Sequence, residues 1–133
     1  MMKVFPDDLL YSREHVWLRV DGDLATIGIT DYAQEKLGEI LSVELPESDS
    51  DVERDEPFGV IESSKASIEL VSPVTGEVIS VNEDLTDDIG IINSDPHDTG
   101  WMIVVEMKDL DELDDLLDAR GYHDFIVQEV EGD

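Results

Sequence analysis

The sequence predicts an α+β fold that is predominantly β, a sandwich or flattened barrel with short helices and a helical tail. Three observations carry this. Strand-length apolar runs recur along the chain, separated by Gly, Pro and Asp. Leu37-Gly38-Glu39-Ile40-Leu41-Ser42-Val43 is echoed by Thr75-Gly76-Glu77-Val78-Ile79-Ser80-Val81, which suggests two equivalent halves about a pseudo-twofold axis, unless so short an echo is chance. There is no third copy, so the chain is not a solenoid. Finally, Leu110, Leu113, Leu116 and Leu117 fall on one helical face near the C-terminus.

Residues 15–20 and 24–29 flank Asp21-Gly22-Asp23, a strong hairpin signal. Residues 30–37 read as a short helix, capped by Thr30 or Asp31 and ended by Gly38. Residues 39–45 form a strand closed by Pro46, and 47–56 a polar loop. Strands over 57–62 and 66–71 flank Lys65, and another follows the Pro73–Gly76 turn over 77–81. Residues 82–93 read as an irregular loop with an apolar patch at Ile89–Ile92, and 101–106 as the last strand. Asp109 and Glu112 have capping-box spacing, Gly121 is placed to stop or bend the tail helix, and Tyr122, Phe125 and Ile126 continue the stripe. The leucines read as packing on the sheet, with a partner-binding helix as the alternative. One domain is expected over 1–133, with a lead-in over 1–8 and a helical segment over 107–130.

Thirty-five Asp and Glu against eight Lys and Arg give a formal charge of −27. Such a chain repels phosphate, so neither nucleic acid nor an anionic membrane is an expected partner. The acids interleave with apolar residues and two tryptophans, which sets the chain apart from an acidic disordered protein. Self-repulsion on this scale is relieved by concentrated salt, so the composition points to a halophilic setting. With no cysteine, no transmembrane-length run and no signal-peptide pattern at the start, the reading is a soluble cytoplasmic protein.

No active-site motif is present. The three histidines have no metal-ligand spacing, and His15, next to Trp17 in a strand, reads as structural. The acid clusters at 21–23 and 84–88 do not match a calcium loop, and there is no phosphate loop, dinucleotide fingerprint or nucleophile elbow. A surface lysine is ordinarily just a solvated charge. Lys65 stands out because the chain has only four lysines, because it falls between two strands, and because Ser63, Ser64, Ala66 and Ser67 around it are small. An exposed amine on such a tip suits covalent attachment, in which case the chemistry belongs to the attached group. A serine–lysine catalytic pair needs a desolvated lysine, which a wet hairpin tip does not offer.

Taken in order, these segments resemble the H protein of the glycine cleavage system. The landmarks are Tyr11-Ser12-Arg13-Glu14-His15-Val16-Trp17-Leu18, Gly28-Ile29-Thr30-Asp31-Tyr32-Ala33-Gln34, Glu62-Ser63-Ser64-Lys65-Ala66, Ser72-Pro73-Val74-Thr75-Gly76-Glu77-Val78, Ile92-Asn93-Ser94-Asp95-Pro96 and Gly100-Trp101-Met102. The chain departs from the pattern at Ser64, where the family usually has an apolar residue, and at Tyr32, where some members have His. The resemblance implies a barrel-sandwich hybrid and a non-catalytic carrier with lipoate in amide linkage to Lys65, within the attachment motif of Glu62, Ser63, Ser64 and Ala66. Glu14 and Tyr32 are the candidates for lining the groove where the arm rests, with ordinary fold polarity as the alternative for both. The implied partners are glycine decarboxylase (P protein), which supplies an aminomethyl group, the aminomethyltransferase (T protein), which receives it, and dihydrolipoamide dehydrogenase (L protein), which reoxidises the dithiol. A lipoate-attaching enzyme is implied as well, and a monomeric state is expected. The alternative is an H-like lipoyl or octanoyl donor or relay in lipoate metabolism.

Overall fold

Ala25, Ile27 and Ile29 alternate with less buried residues along one strand, and Ile103, Val105 and Met107 do so along another. Each run therefore has one face to bury. In a computed structural model, which describes residues 5–131, these two strands pair antiparallel with Ala25 opposite Val105 and Ile27 opposite Ile103. The elements in chain order are β1 (Leu10–Tyr11), β2 (Val16–Asp21), β3 (Leu24–Ile29), α1 (Asp31–Leu37), β4 (Ile40–Glu44), β5 (Asp51–Val52), β6 (Pro57–Ser63), β7 (Ser67–Val71), β8 (Gly76–Val81), α2 (Asp84–Asp87), α3 (Ile91–Ser94), β9 (Ile103–Met107), a 3₁₀ helix (Leu110–Asp115) and α4 (Ala119–Glu131). One sheet has the order β1-β2-β3-β9-β8-β5 and the other β4-β6-β7, with all pairings antiparallel.

The main core includes Ile27, Ile40, Ile61, Leu70, Val78, Ile92 and Val105. A second cluster of Phe5, Leu9, Tyr11, Trp17, Ala119 and Tyr122 fastens α4 to β1 and β2. Tyr11 and Tyr122 stack with ring centroids 4.8 Å apart. Within the expected lead-in, residues 1–4 lie outside the described residues, and Phe5 belongs to this second cluster.

The repeated segment has a structural counterpart. β4 and β8 lie in different sheets, and each has a register shift at the same point of the echo, between Ile40 and Ser42 and between Val78 and Ser80. The residues at the shifts, Leu41 and Ile79, are 56% and 43% exposed, while the preceding Ile40 and Val78 are buried. One bulge in each half turns an apolar side chain to solvent at equivalent places. This agreement argues against chance.

The hairpin, α1 and the strands flanking Lys65 form where the sequence places them, except that His15, expected in the first hairpin strand, lies in the turn before β2 with φ 66°. Thr30 is the N-cap of α1, its hydroxyl accepting from Ala33 N–H at 3.2 Å.

Six expectations are corrected. The loop over 82–93 contains α2 and α3, single turns anchored by buried Leu85 and Ile92; neither has a side-chain cap, so the sequence carried no start signal. The acidic loop over 47–56 contributes β5, whose Val52 is buried, and the last strand begins at Ile103 rather than Trp101. The capping box does not form. Asp109 accepts from Asp111 N–H, while the Glu112 carboxylate accepts the Thr75 N–H at 2.7 Å and hydroxyl at 2.9 Å. Gly121 stops nothing: it lies in the first turn of α4, and its N–H donates to Asp118 Oδ1 at 2.7 Å. The leucine stripe is accordingly split. Leu113 and Leu116 pack on the main core, Leu117 on the second cluster, and Leu110 is 46% exposed.

Candidate functional site

Lys65 sits at the tip of the β6–β7 hairpin, which Ser63 fastens. The Ser63 N–H donates to Ala66 O at 2.8 Å. The Ser63 hydroxyl donates to the same carbonyl at 3.1 Å and accepts the N–H groups of Lys65 at 3.3 Å and Ala66 at 3.1 Å. Glu62 pairs with Ser67 below the tip. Ser64, Lys65 and Ala66 are exposed, so a partner can reach the backbone as well as the amine.

The tip is also anchored sideways. Ser64 N–H donates to Glu39 O at 3.0 Å, which brings the hairpin against the end of α1. Gly38 occupies that end with φ 76° and ψ −150°, a conformation essentially closed to other residues. A Cβ there would lie 3.3 Å from Lys65 Cε, so the lysine stem runs over the bare glycine backbone. Asn93 holds this corner: its Nδ2 donates to Gly38 O at 2.8 Å and Gln34 Oε1 at 2.9 Å, and its Oδ1 accepts Ile40 N–H at 3.0 Å. Nothing in the spacing around Asn93 assigns it this role in the sequence.

A groove of about 210 Å³ begins at the residues next to Gly38. Leu37, Ala33, Ile29 and Ile68 give it apolar walls, and Glu14, His15, Lys36 and Glu69 supply charge and polarity. Glu14 also lines an adjoining cavity of about 180 Å³ with Ser12, Arg54 and Asp115. Of the two residues expected in an arm groove, Glu14 is among the lining residues. Tyr32 is not: its hydroxyl donates to Glu129 Oε2 at 3.1 Å, and its ring lies under the Lys36 ammonium at 5.2 Å. Sequence reasoning did not place Leu37, Lys36 or Ile68 in a groove; Leu37 stood out only as the start of the repeated segment.

His15 forms part of the groove and is held from behind. Its Nε2 lies 3.4 Å from Glu129 Oε2 and its Nδ1 2.8 Å from Tyr122 Oη, which is 2.7 Å from Thr30 Oγ1. A carboxylate only accepts, so the neutral ring carries its proton on Nε2 and accepts at Nδ1 from Tyr122. Burial lowers the His15 pKa below its usual 6.5, Glu129 pulls it back up, Lys36 lowers it and Glu14 raises it. Burial likewise pushes the Tyr122 hydroxyl well above its normal range, so it stays protonated.

A β sandwich that exposes an anchored lysine beside an apolar groove has the form of a carrier domain. Comparison with known proteins gives the family. The model of the glycine cleavage H-protein family matches residues 9–129. The glycine cleavage system H protein of Brevibacillus brevis is 51% identical over 124 residues, covering 93% of this chain and 98% of the relative. That of Halalkalibacterium halodurans is 48% identical over 128 residues, covering 96% and 100%. The crystal structure of a glycine cleavage system H protein from Mycobacterium marinum superimposes with a TM-score of 0.82 at 31% identity, covering 94% of this chain and 98% of that one. The chain belongs to the glycine cleavage H-protein family, the lipoyl carriers of the glycine cleavage system.

The lowered His15 pKa fixes a sign. The folded state favours the neutral ring, so this contribution to stability is complete above the unfolded value of 6.5 and is lost as pH falls through the lower folded value. An NMR titration of the His15 ring is expected to give a midpoint below 6.5, and Glu129→Gln to move it lower still, because the carboxylate that favours imidazolium is gone.

Proposed function

We propose that Lys65 is the attachment point of a lipoyl group in amide linkage and that the groove beside it is the resting place of the arm. The observation that carries this is the lysine stem laid over Gly38, whose neighbour Leu37 lines an apolar groove. The residues fit the group: Ala33, Leu37 and Ile68 match an apolar chain and ring, and Glu14 and Glu69 at the rim match a cationic amine. A bound lipoyl group supplies a redox-active disulfide that carries a one-carbon amine between enzymes. The chain's own contribution is to present, tether and shelter. Ser63 shapes the tip, the Ser64–Glu39 bond fixes its direction, and tethering raises the local concentration of the arm's end at a docked enzyme. The groove removes that end from water between visits.

On this reading the partners are the P, T and L proteins of the system, each of which receives the arm, and a lipoate-attaching enzyme that recognises Glu62, Ser63, Ser64 and Ala66 around the lysine. The chain supplies no catalytic group of its own. A charge of −27 opposes self-association and supports a monomer at work in a salt-rich cytoplasm.

Intact mass measurement after incubation with a lipoate-attaching enzyme and activated lipoate, in concentrated salt, tests the assignment. One lipoyl-sized increment is expected for the wild type and none for Lys65→Arg; an equal increment in both would move the site elsewhere. The salt reading has its own check. The melting temperature should climb steadily as KCl is raised, and a flat or falling curve would count against it.

A further inference from the structure

His15 stands at a backbone φ of 66°, in the left-handed region that few non-glycine residues occupy. The turn that holds it there is stitched by Ser12, which accepts the His15 N–H on its carbonyl at 3.2 Å and the Glu14 and Val16 N–H groups on its hydroxyl, each at 3.2 Å. The strained backbone aims the ring at two structures at once. It is part of the wall of the groove. It is also the polar contact of that wall with α4, through Tyr122 and Glu129, with the Phe125 ring at 5.9 Å and the Tyr32 ring at 5.0 Å.

We infer that His15 is a positioning residue that couples the seating of α4 to the shelter of the arm, so that loosening α4 opens the groove. This rests on the reading that the groove holds a lipoyl arm on Lys65. Tyr122 serves both sides of the coupling. Its hydroxyl joins His15 to Thr30, the N-cap of α1, and Ala33 and Leu37 of α1 also line the groove. If α4 moves, His15 and the first turn of α1 lose the same partner together.

The groups facing His15 are Glu129 and Tyr122 from α4, Tyr32 and Lys36 from α1, Glu69 from β7 across the groove, and Glu14 beside it. Of these side chains only the imidazole has its ordinary ionisation between about pH 5 and 8. Burial opposes its protonation, so acid favours the state in which the ring is more hydrated and α4 less firmly seated.

The test uses the full chain lipoylated at Lys65, with attachment verified by mass. The rate at which a water-soluble phosphine reduces the arm's disulfide is measured against free lipoamide at the same pH. At about pH 7.5 the wild type should react about five-fold more slowly than lipoamide, as a mostly docked arm requires, and Tyr122→Phe and Glu129→Ala should come within about two-fold of it. Asp124→Asn, on the exposed part of α4, should behave as wild type. The wild-type shelter should fade toward about pH 5, and Tyr122→Phe should show a flat normalised profile. Tyr122→Phe keeps the ring stacked on Tyr11, and Glu129 is partly exposed, so at least one variant retains its fold. A sheltered wild type with equally sheltered variants and no pH dependence overturns the coupling. Missing attachment overturns the lysine assignment instead. Attachment with no shelter in the wild type overturns the groove reading, and the coupling with it.

Discussion

The geometry around Lys65 depends on one side chain, that of Asn93. Its amide closes the C-terminal end of α1 and the first N–H of β4 at the same time. That corner requires the chain to turn through Gly38, and the turned backbone exposes Glu39 O to Ser64 N–H. Without Asn93, the Gly38 carbonyl and the Ile40 N–H would each lose a partner in a partly buried position, at about 1–3 kcal/mol apiece. A hairpin tip is ordinarily among the most mobile parts of a sheet. Here it is tied to a helix end, and the groove begins at the residues next to that end.

The second determinant is the relation of the two halves. β4 and β8 descend into different sheets with the same bulge, and the main core lies among their buried neighbours Ile40, Val78, Ile61 and Val105. Only one half carries the exposed hairpin with its lysine. In the other half, β9 pairs with β3, a strand from far away in sequence, and the corresponding corner is built from separate segments. The fold is therefore nearly symmetric in its core and asymmetric in the hairpin that carries Lys65.

Much of this was legible in the sequence. Asp21-Gly22-Asp23, Thr30 and Gly38 mark their turns and caps by local chemistry that tertiary packing leaves alone. The lysine tip was legible because small residues and two flanking strands sit within a few positions of it. What failed did so through long-range competition. Glu112 has the spacing of a capping-box acid, yet Thr75, 37 residues away, offers it two donors. Gly121 looks like a helix stop until Asp118 caps the helix just before it. α2 and α3 are too short for a period and depend on single buried side chains, Leu85 and Ile92. The groove was the least legible part. Its apolar walls come from β3, α1 and β7, and its polar residues from the turn before β2, α1 and β7, so no window of sequence contains it.

The central claim is that the lysine feeds the groove, and the backbone amides can report it directly. Amide NMR spectra of the chain before and after lipoylation, assigned and compared residue by residue, would locate the arm. The account predicts shifts at Ala33, Leu37, Ile68 and His15 in addition to the tip itself. Shifts confined to residues 63–67, with the groove unchanged, would contradict it and leave the arm free in solvent.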